Sequence, residues 1–268
     1  MHRMPGHGQN GNRLHRMSFD VTAAAYAAFM GRWSQPLAVG FADLAGVHGG
    51  QRALDVGCGP GMLTEELVAR LGEAAVTAID PSPSFVAATR ERFPEADVRS
   101  GAAEQLPFAD DAFDAALAQL VVHFMADPVR GLAEMARVTR PGGMVATCVW
   151  DHAGDGGPLS LFWRAVQDID PGAGDESGLA GSREGHLAEL CRAAGLPEAE
   201  STSLTVRVGF ATLADWWEPF TLGVGPAGAY VAGLDPEARS HLAGRCAELL
   251  PDPPFEVAAS AWAVTARV

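Results

Sequence analysis

Residues 53–62 read Ala53-Leu54-Asp55-Val56-Gly57-Cys58-Gly59-Pro60-Gly61-Met62, and the fold is decided in this decapeptide. A short apolar strand runs into three glycines at alternate positions and then into a segment of helical period. Such a loop turns tightly and lets a ligand approach the backbone with no Cβ in the way. Nineteen residues past Gly61, the next apolar run ends in Asp80. An acid at the carboxyl end of the neighbouring strand is placed to accept hydrogen bonds from two ribose hydroxyls, as in nucleotide-binding doubly wound sheets. The glycines by themselves are equally compatible with a turn that holds no ligand.

Outward from this loop, short apolar runs alternate with helical segments, the signature of a parallel sheet wound with helices. The strand candidates are Ala53–Val56, Ala75–Asp80, Asp97–Ser100, Phe113–Gln119 and Met144–Trp150; the helices between them include Met62–Leu71, Ser84–Phe93 and Pro128–Val138. Ahead of the first strand, Val21–Gly31 and Gln35–Ala45 read as two helices broken at Gly31-Arg32-Trp33-Ser34, and residues 18–48 are expected to cap the sheet. After Trp150 come a loop, helices near Leu159–Asp168 and Ser182–Ala194, and two further strands, Ser203–Val208 and Phe255–Ala266. The latter two are about 45 residues apart, too far for a tight hairpin. Residues 211–254, with one helix near Pro236–Leu250, therefore read as a lid inserted into a core of residues 49–210 and 255–268.

Composition narrows the function. The chain has 268 residues, 48% of them hydrophobic and 19% charged, and a net charge of −14. All 19 basic residues are Arg. Without a basic face a nucleic-acid partner is disfavoured. Residues 1–17 hold three Arg, three His and no acid, and are expected to form a disordered extension. The four cysteines, Cys58, Cys148, Cys191 and Cys246, form no C-x-x-C pair, so neither zinc nor any other metal, nor a disulfide framework, is expected. No apolar run reaches membrane-spanning length and no signal peptide is evident. A soluble cytoplasmic protein is expected.

A dinucleotide fingerprint needs a glycine at position 62, where this chain has Met62. The G-x-G-x-G form with Asp55 ahead of it instead resembles the class I S-adenosylmethionine-dependent methyltransferases, in the ubiquinone/menaquinone-biosynthesis-like small-molecule branch. The resemblance continues in order over about residues 20–150. Gly101-Ala102-Ala103-Glu104-Gln105-Leu106-Pro107-Phe108 is similar to the adenine-contacting segment, Asp110-Asp111-Ala112-Phe113-Asp114 to the entry to the fourth strand, and Arg140-Pro141-Gly142-Gly143 to the turn before the fifth. It implies an α/β fold, a doubly wound, seven-stranded, mainly parallel Rossmann-like sheet of order 3-2-1-4-5-7-6 with the seventh strand antiparallel. It also implies S-adenosyl-L-methionine as cofactor, held by Asp55, Gly57, Gly59, Gly61, Asp80 and Gln119. Pro81 and Ser82 would line the adenosine pocket, and Ala103 and Glu104 would give main-chain contacts to the ring. Many relatives carry an acid at the position of Ala102, so the adenine amine needs another partner here. Tyr26 to Ser34 is similar to a segment found before the first strand in one group of these enzymes: Arg32 would pair with the cofactor's carboxylate and Tyr26 would close over it. The bland reading of that segment is a helix end capped by Gly31 with an exposed Arg.

For the methyl acceptor, His123 and Phe124 follow the fourth strand, and His123 is the first choice for a general base. Asp151 and His152 follow the fifth strand and are second choices, against a loop-capping role. Trp150, Trp163, Trp216, Trp217 and Phe220 would line an apolar acceptor pocket if the insertion folds over the site; aromatic residues at helical spacing otherwise belong to a core. Asp252-Pro253-Pro254-Phe255 imitates a methyltransferase tetrapeptide, but it precedes the last strand where the motif would follow the fourth. The expected activity is methyl transfer to a small, rather apolar molecule, with a homo-oligomer left open. The alternatives are a sulfonium-assisted rearrangement without methyl transfer and a non-catalytic cofactor-binding protein. A nicotinamide-dependent reductase is disfavoured by the Gly61 spacing and by the absence of any Lys.

Overall fold

A computed structural model describes residues 23–268. The opening extension expected over residues 1–17 lies outside the described residues. The chain begins with α1 (Ala23–Tyr26), which passes through a π-helical turn at Ala27–Gly31 into α2 (Arg32–Leu44). The expected break at residues 31–34 is therefore corrected. Gly31 keeps helical angles (φ −60°, ψ −37°), and the extra residue is absorbed by the wider π turn, a device often found beside functional sites.

The alternating core follows as β1 (Ala53–Val56), α3 (Met62–Leu71), β2 (Val76–Asp80), α4 (Pro83–Arg92), β3 (Asp97–Ser100), β4 (Phe113–Gln119), α5 (Pro128–Val138) and β5 (Thr139–Trp150). Then come α6 (Ser160–Ile169), α7 (His186–Ala193), β6 (Glu200–Phe210), α8 (Leu213–Trp217), α9 (Gly225–Ala232), α10 (Pro236–Leu249) and β7 (Phe255–Arg267). Start signals are local: Pro83, Pro128 and Pro236 each open a helix, where a missing N–H costs nothing. Asp127 and Asp235 cap the backbone N–H groups of Arg130 and Ala238 at 3.0 and 2.8 Å, satisfying donors that the helix leaves open.

The seven strands form one sheet in the order β3-β2-β1-β4-β5-β7-β6. β1 to β5 are parallel and β7 is antiparallel to both β5 and β6, as the resemblance implied. Every residue of β1 and β2 is buried, as expected for parallel strands covered on both faces. Alternate residues of β4 serve the two faces: Ala115 and Leu117 pack with α2, α3 and α6, whereas Ala116 and Ala118 pack with α5 and α7. The sheet reverses direction between β1 and β4, which creates a crevice at their carboxyl ends.

Three boundaries differ from expectation. β5 starts at Thr139 because residues 140–143 remain in the strand as an irregularity in its pairing with β4, between Phe113 and Ala115. Gly143 is needed there, since a Cβ would meet the Asp114 carbonyl at 2.7 Å. α7 is shorter than Ser182–Ala194 because Gly181 and Gly185 adopt φ of +81° and +78°, which halts a right-handed helix. Between β6 and β7 stand α8, a 3₁₀ turn at Glu218–Leu222, α9 and α10, where the sequence had indicated one helix.

Candidate functional site

The carboxyl ends of β1, β2 and β4 surround a narrow cleft with a cavity volume of about 90 Å³. Its floor is the loop after β1. Gly57 and Gly59 have φ of +72° and +53°, values that side chains with a Cβ adopt at a cost. Gly57 also lies against β4's continuation: a Cβ there would sit 2.5 Å from Val121 methyls. Gly59 is different, because a Cβ there would meet nothing within 4 Å and would project into open space. One glycine thus closes the switch point, while the other keeps a cradle free. Gly61 is also left-handed (φ +90°), but its space is filled by Phe93, Thr89 and Arg92 of the α4 region, so its service is to helix packing.

Asp80 ends β2 and is buried. Its Oδ2 accepts from Gly59 N at 2.9 Å and its Oδ1 from Ser82 N at 2.8 Å. Each carboxylate oxygen retains lone-pair capacity beyond those bonds. Burial raises its pKa, and the two backbone N–H groups pull the other way. Asp55, in the middle of β1, accepts from Thr64 Oγ1 at 2.6 Å. Burial pushes its carboxyl up to about 7, Thr64 opposes this, and the neighbouring Asp80 adds to it. Two acids line the cleft with no cation beside them among the described residues that line it, so a positively charged ligand would relieve their mutual repulsion.

The remaining walls come from distant segments. Tyr26 reaches over from α1 and packs on Phe85 of α4 with ring centroids 5.4 Å apart; burial, aided by the charge of Asp80, pushes its phenol up to about 12. Gln119, the last residue of β4, donates from Nε2 to the Ser34 carbonyl at 2.9 Å, pinning α2 to the sheet. Its Oε1 is buried without a partner among the described residues. An orphaned amide oxygen in a cleft is a waiting acceptor for a ligand N–H. Leu120 follows with φ +61°, a rare conformation for a branched residue and of the kind that clusters at ligand sites.

The cleft therefore gathers Tyr26, Asp55, Gly57, Gly59, Asp80, Pro81, Gln119 and Phe124 from the sequence-derived candidates. It does not gather the others. Arg32 is committed elsewhere: its Nη2 binds Asp215 Oδ1 at 3.0 Å, its Nη1 donates to the Asp215 carbonyl, and it stacks over Phe210. Its expected pairing with a cofactor carboxylate is therefore not made in this structure. Ser82 sits below the cleft, donating its N–H to Asp80. Ala103 packs in the core beneath α5. The Glu104 side chain accepts from Ala126 N at 2.7 Å and ties down the loop before α5. Trp150, Trp216 and Phe220 are buried in the core, and Trp217 packs on Phe220 and Phe162 at 6.0 and 6.5 Å. Trp216, Trp217 and Phe220 form a packed aromatic cluster with Phe162, Trp163 and Tyr230, with Trp150 buried in the same core, rather than an open pocket wall.

His123 stands next to the cleft, its ring 3.9 Å from that of Phe124. Burial, with His152 adding to it, lowers its pKa to about 3, so it is neutral near pH 7 and a weak base. Sequence reasoning missed Ser34, Phe85, Leu120 and Val121 as cleft residues. Val121 carries a signal in retrospect, since a tight glycine after β1 requires something close opposite it. Ser34 carries none, as it meets the cleft only through the fold of α2. No group of three or more His, Cys, Asp or Glu capable of holding a metal exists among the described residues.

Comparison with known proteins agrees with this geometry. Residues 54–147 match the family described as "Methyltransferase domain". A demethylmenaquinone methyltransferase of Renibacterium salmoninarum is 34% identical over 151 residues, which is 56% of this chain and 63% of that protein. The chain thus spans under two thirds of that relative's length. Among solved structures, the Haemonchus contortus phosphoethanolamine N-methyltransferase 2, in complex with phosphomonomethylethanolamine and S-adenosylhomocysteine, superposes with a TM-score of 0.55 at 18% identity, covering 91% of this chain and 56% of that one. The [4+2]-cyclase SpnF gives 0.51 at 24% identity, covering 87% and 80%. At these identities the structures speak for the fold.

Proposed function

We propose that this chain, whose residues 54–147 form a methyltransferase domain on the class I sheet, binds S-adenosyl-L-methionine in the cleft between β1, β2 and β4 and transfers its methyl group to a small neutral acceptor. The observation that carries the reading is the convergence of Gly59, Asp80 and Gln119: an open cradle, a buried carboxylate with spare lone pairs, and an orphaned amide oxygen. Asp80 would accept the ribose hydroxyls. Gly57 and Gly59 would carry the methionine part against the backbone, Gln119 Oε1 would accept from its ammonium group, and Tyr26 and Phe85 would close over the nucleoside.

When bound, the cofactor supplies a methyl group already activated on a positive sulfur; the carbon–sulfur bond breaks as the bond to the acceptor forms. The protein's part is to align the two partners and exclude water. Asp55 and Asp80 complement the positive charge in the ground state. The acceptor side lies at the ends of β4 and β5, under residues 211–254, which we take as its cover. That segment is fastened to α2 by the Arg32–Asp215 pair. The name of the Renibacterium salmoninarum relative favours a ring acceptor with oxygen substituents. Four unpaired, buried cysteines suit a reducing compartment such as the cytoplasm, and no described helix is long and apolar enough to cross a membrane.

The test is a parallel calorimetric titration with S-adenosylmethionine and NADH. Binding of the former alone is expected, lost by about tenfold or more in Asp80→Ala, because a buried charged hydrogen-bond partner is worth about 1.5–3 kcal/mol. Unchanged affinity in that variant would refute the ribose assignment. Binding of NADH alone would refute the cofactor. Product formed without S-adenosylhomocysteine would replace methyl transfer with a rearrangement.

A further inference from the structure

We infer that His123 and His152 form a hydrogen-bonding subsite, beside the cofactor cleft, for a neutral hydroxyl or carbonyl oxygen of the acceptor; the inference rests on the methyl-transfer reading above and names the acceptor's chemistry. The two imidazoles meet edge to face with ring centroids 6.1 Å apart. His123 Nδ1 and His152 Nε2 are both closed off from solvent, and neither has a hydrogen-bond partner among the described residues. An unmet buried nitrogen costs about 1–3 kcal/mol. Two of them on neighbouring rings are hard to explain by packing, which Phe or Leu would serve without that cost.

The two residues come from different connections. His123 sits in the 3₁₀ turn after β4, and His152 two residues beyond the end of β5. Both connections leave the carboxyl edge of the sheet, where this fold class presents ligands. Phe124, in ring contact with His123, lines the cofactor cleft, so the pair stands one ring away from it. A single oxygen bonded at about 2.8 Å to a nitrogen of each ring spans a separation of this size.

Charge selects the class of ligand. Burial keeps both imidazoles neutral near pH 7, His123 with a pKa of about 3 and His152 below its ordinary value. The charges acting on His152 are acidic: Glu176, Asp151 and Asp175. Glu176 is buried and accepts from Trp163 Nε1 at 2.9 Å. Arg32, in the cap, is tied to Asp215. A carboxylate or phosphate would enter like charge with no compensation. A neutral imidazole offers one donor and one acceptor, the complement of a hydroxyl, and the Phe124 ring against His123 suits a ring that bears it.

The experiment uses the full chain saturated with S-adenosylhomocysteine and compares, by calorimetry, 1-naphthol with 1-methylnaphthalene, which replaces the hydroxyl by a methyl group of similar size. Naphthol is expected to bind at least about tenfold more tightly. His152→Phe and His123→Phe are each expected to erase that preference with S-adenosylhomocysteine affinity unchanged, and His152→Gln, which keeps a hydrogen-bonding group, to retain part of it. Equal binding of the two compounds, no binding of naphthol, tighter binding of 1-naphthoate, or a preference that survives both Phe variants would overturn the subsite. Should a Phe variant fail to fold, His152→Gln and His123→Asn decide by the same preference. Failure of the wild-type chain to bind S-adenosylhomocysteine would instead overturn the methyl-transfer reading, and the subsite with it.

Discussion

The proposed cofactor cleft and the aromatic region around Phe162 are built in opposite ways. The cofactor side is backbone and small residues: two left-handed glycines, one aspartate at a strand end, one glutamine. The aromatic region is a packed core of large rings from four segments, with Phe162 and Phe220 stacked at 4.6 Å, Phe29 at 5.1 Å and Trp216 at 4.8 Å from Phe220. A cleft made of backbone cannot vary much without losing its shape, whereas a wall of side chains can be rebuilt residue by residue. On the function proposed above, the difference separates a constant part, holding the methyl donor, from a variable one, shaping the cover over the acceptor.

The sharpest way to break that comparison is Phe162→Ala. Phe162 is fully buried at the centre of the aromatic cluster, and removing it is expected to cost about 3–5 kcal/mol of stability. If the two sides are independent, affinity for S-adenosylmethionine should stay within about threefold where the variant is folded. Chemical denaturation and calorimetry read the two quantities, and a parallel collapse of both would show that the sides are one unit.

Next in size are the glycines. Gly57→Ala is expected to weaken cofactor binding about a hundredfold and to lower stability, since it adds left-handed strain of about 1–2 kcal/mol to a collision with Val121. Gly59→Ala meets no protein atom, so it should cost stability only its strain while still weakening the cofactor through the cradle. Equal stability losses would refute the division of labour between them.

This contrast also explains what was legible in the sequence. The alternation of strands and helices and the loop from Gly57 toward Asp80 follow from local pattern, a strand, a loop and a residue at a strand end, whereas the strand order came from the resemblance. What the sequence does not show is where the side chains go: Glu104 turns its carboxylate to Ala126 N, a contact set by the docking of α5, and Arg32 meets Asp215, 183 residues away. The aromatic residues were visible as residues, but whether they line space or fill it depends on four segments meeting. Long-range packing leaves no periodic trace in the chain.

Asp55 gives a smaller, pH-dependent effect. Its folded pKa of about 7 lies above the ordinary carboxyl value of 3.8, so between those values the folded chain holds a proton that the unfolded chain has released. Its contribution to stability is full below about pH 4 and is lost as pH rises through 7. The same group must ionise to favour a cation, so S-adenosylmethionine should bind about tenfold more weakly at pH 6 than at pH 8, with proton release on binding. Asp55→Asn should flatten both dependences. His123, whose pKa is lowered, acts in the opposite direction, and the difference between wild type and Asp55→Asn isolates the aspartate. An identical pH profile for the two proteins would exclude the carboxyl as the source.

The smallest effect tests the seam between the two sides. Arg32 and Asp215 are each about a third exposed on their side chains, and such a pair is worth about 0–1 kcal/mol, so Arg32→Ala should barely move the denaturation midpoint. Its consequence lies in position: the pair fastens α8 to α2, and α2 is pinned to β4 through Gln119 and Ser34. Loosening it should raise the acceptor KM severalfold and leave cofactor affinity unchanged. The opposite result, cofactor affinity falling while acceptor KM holds, would mean that the guanidinium leaves Asp215 for the methionine carboxylate when the cleft is filled. A double variant with Asp215→Ala distinguishes the two: in the seam role it adds nothing to Arg32→Ala, whereas in the cofactor role Asp215→Ala alone should free the arginine and tighten binding.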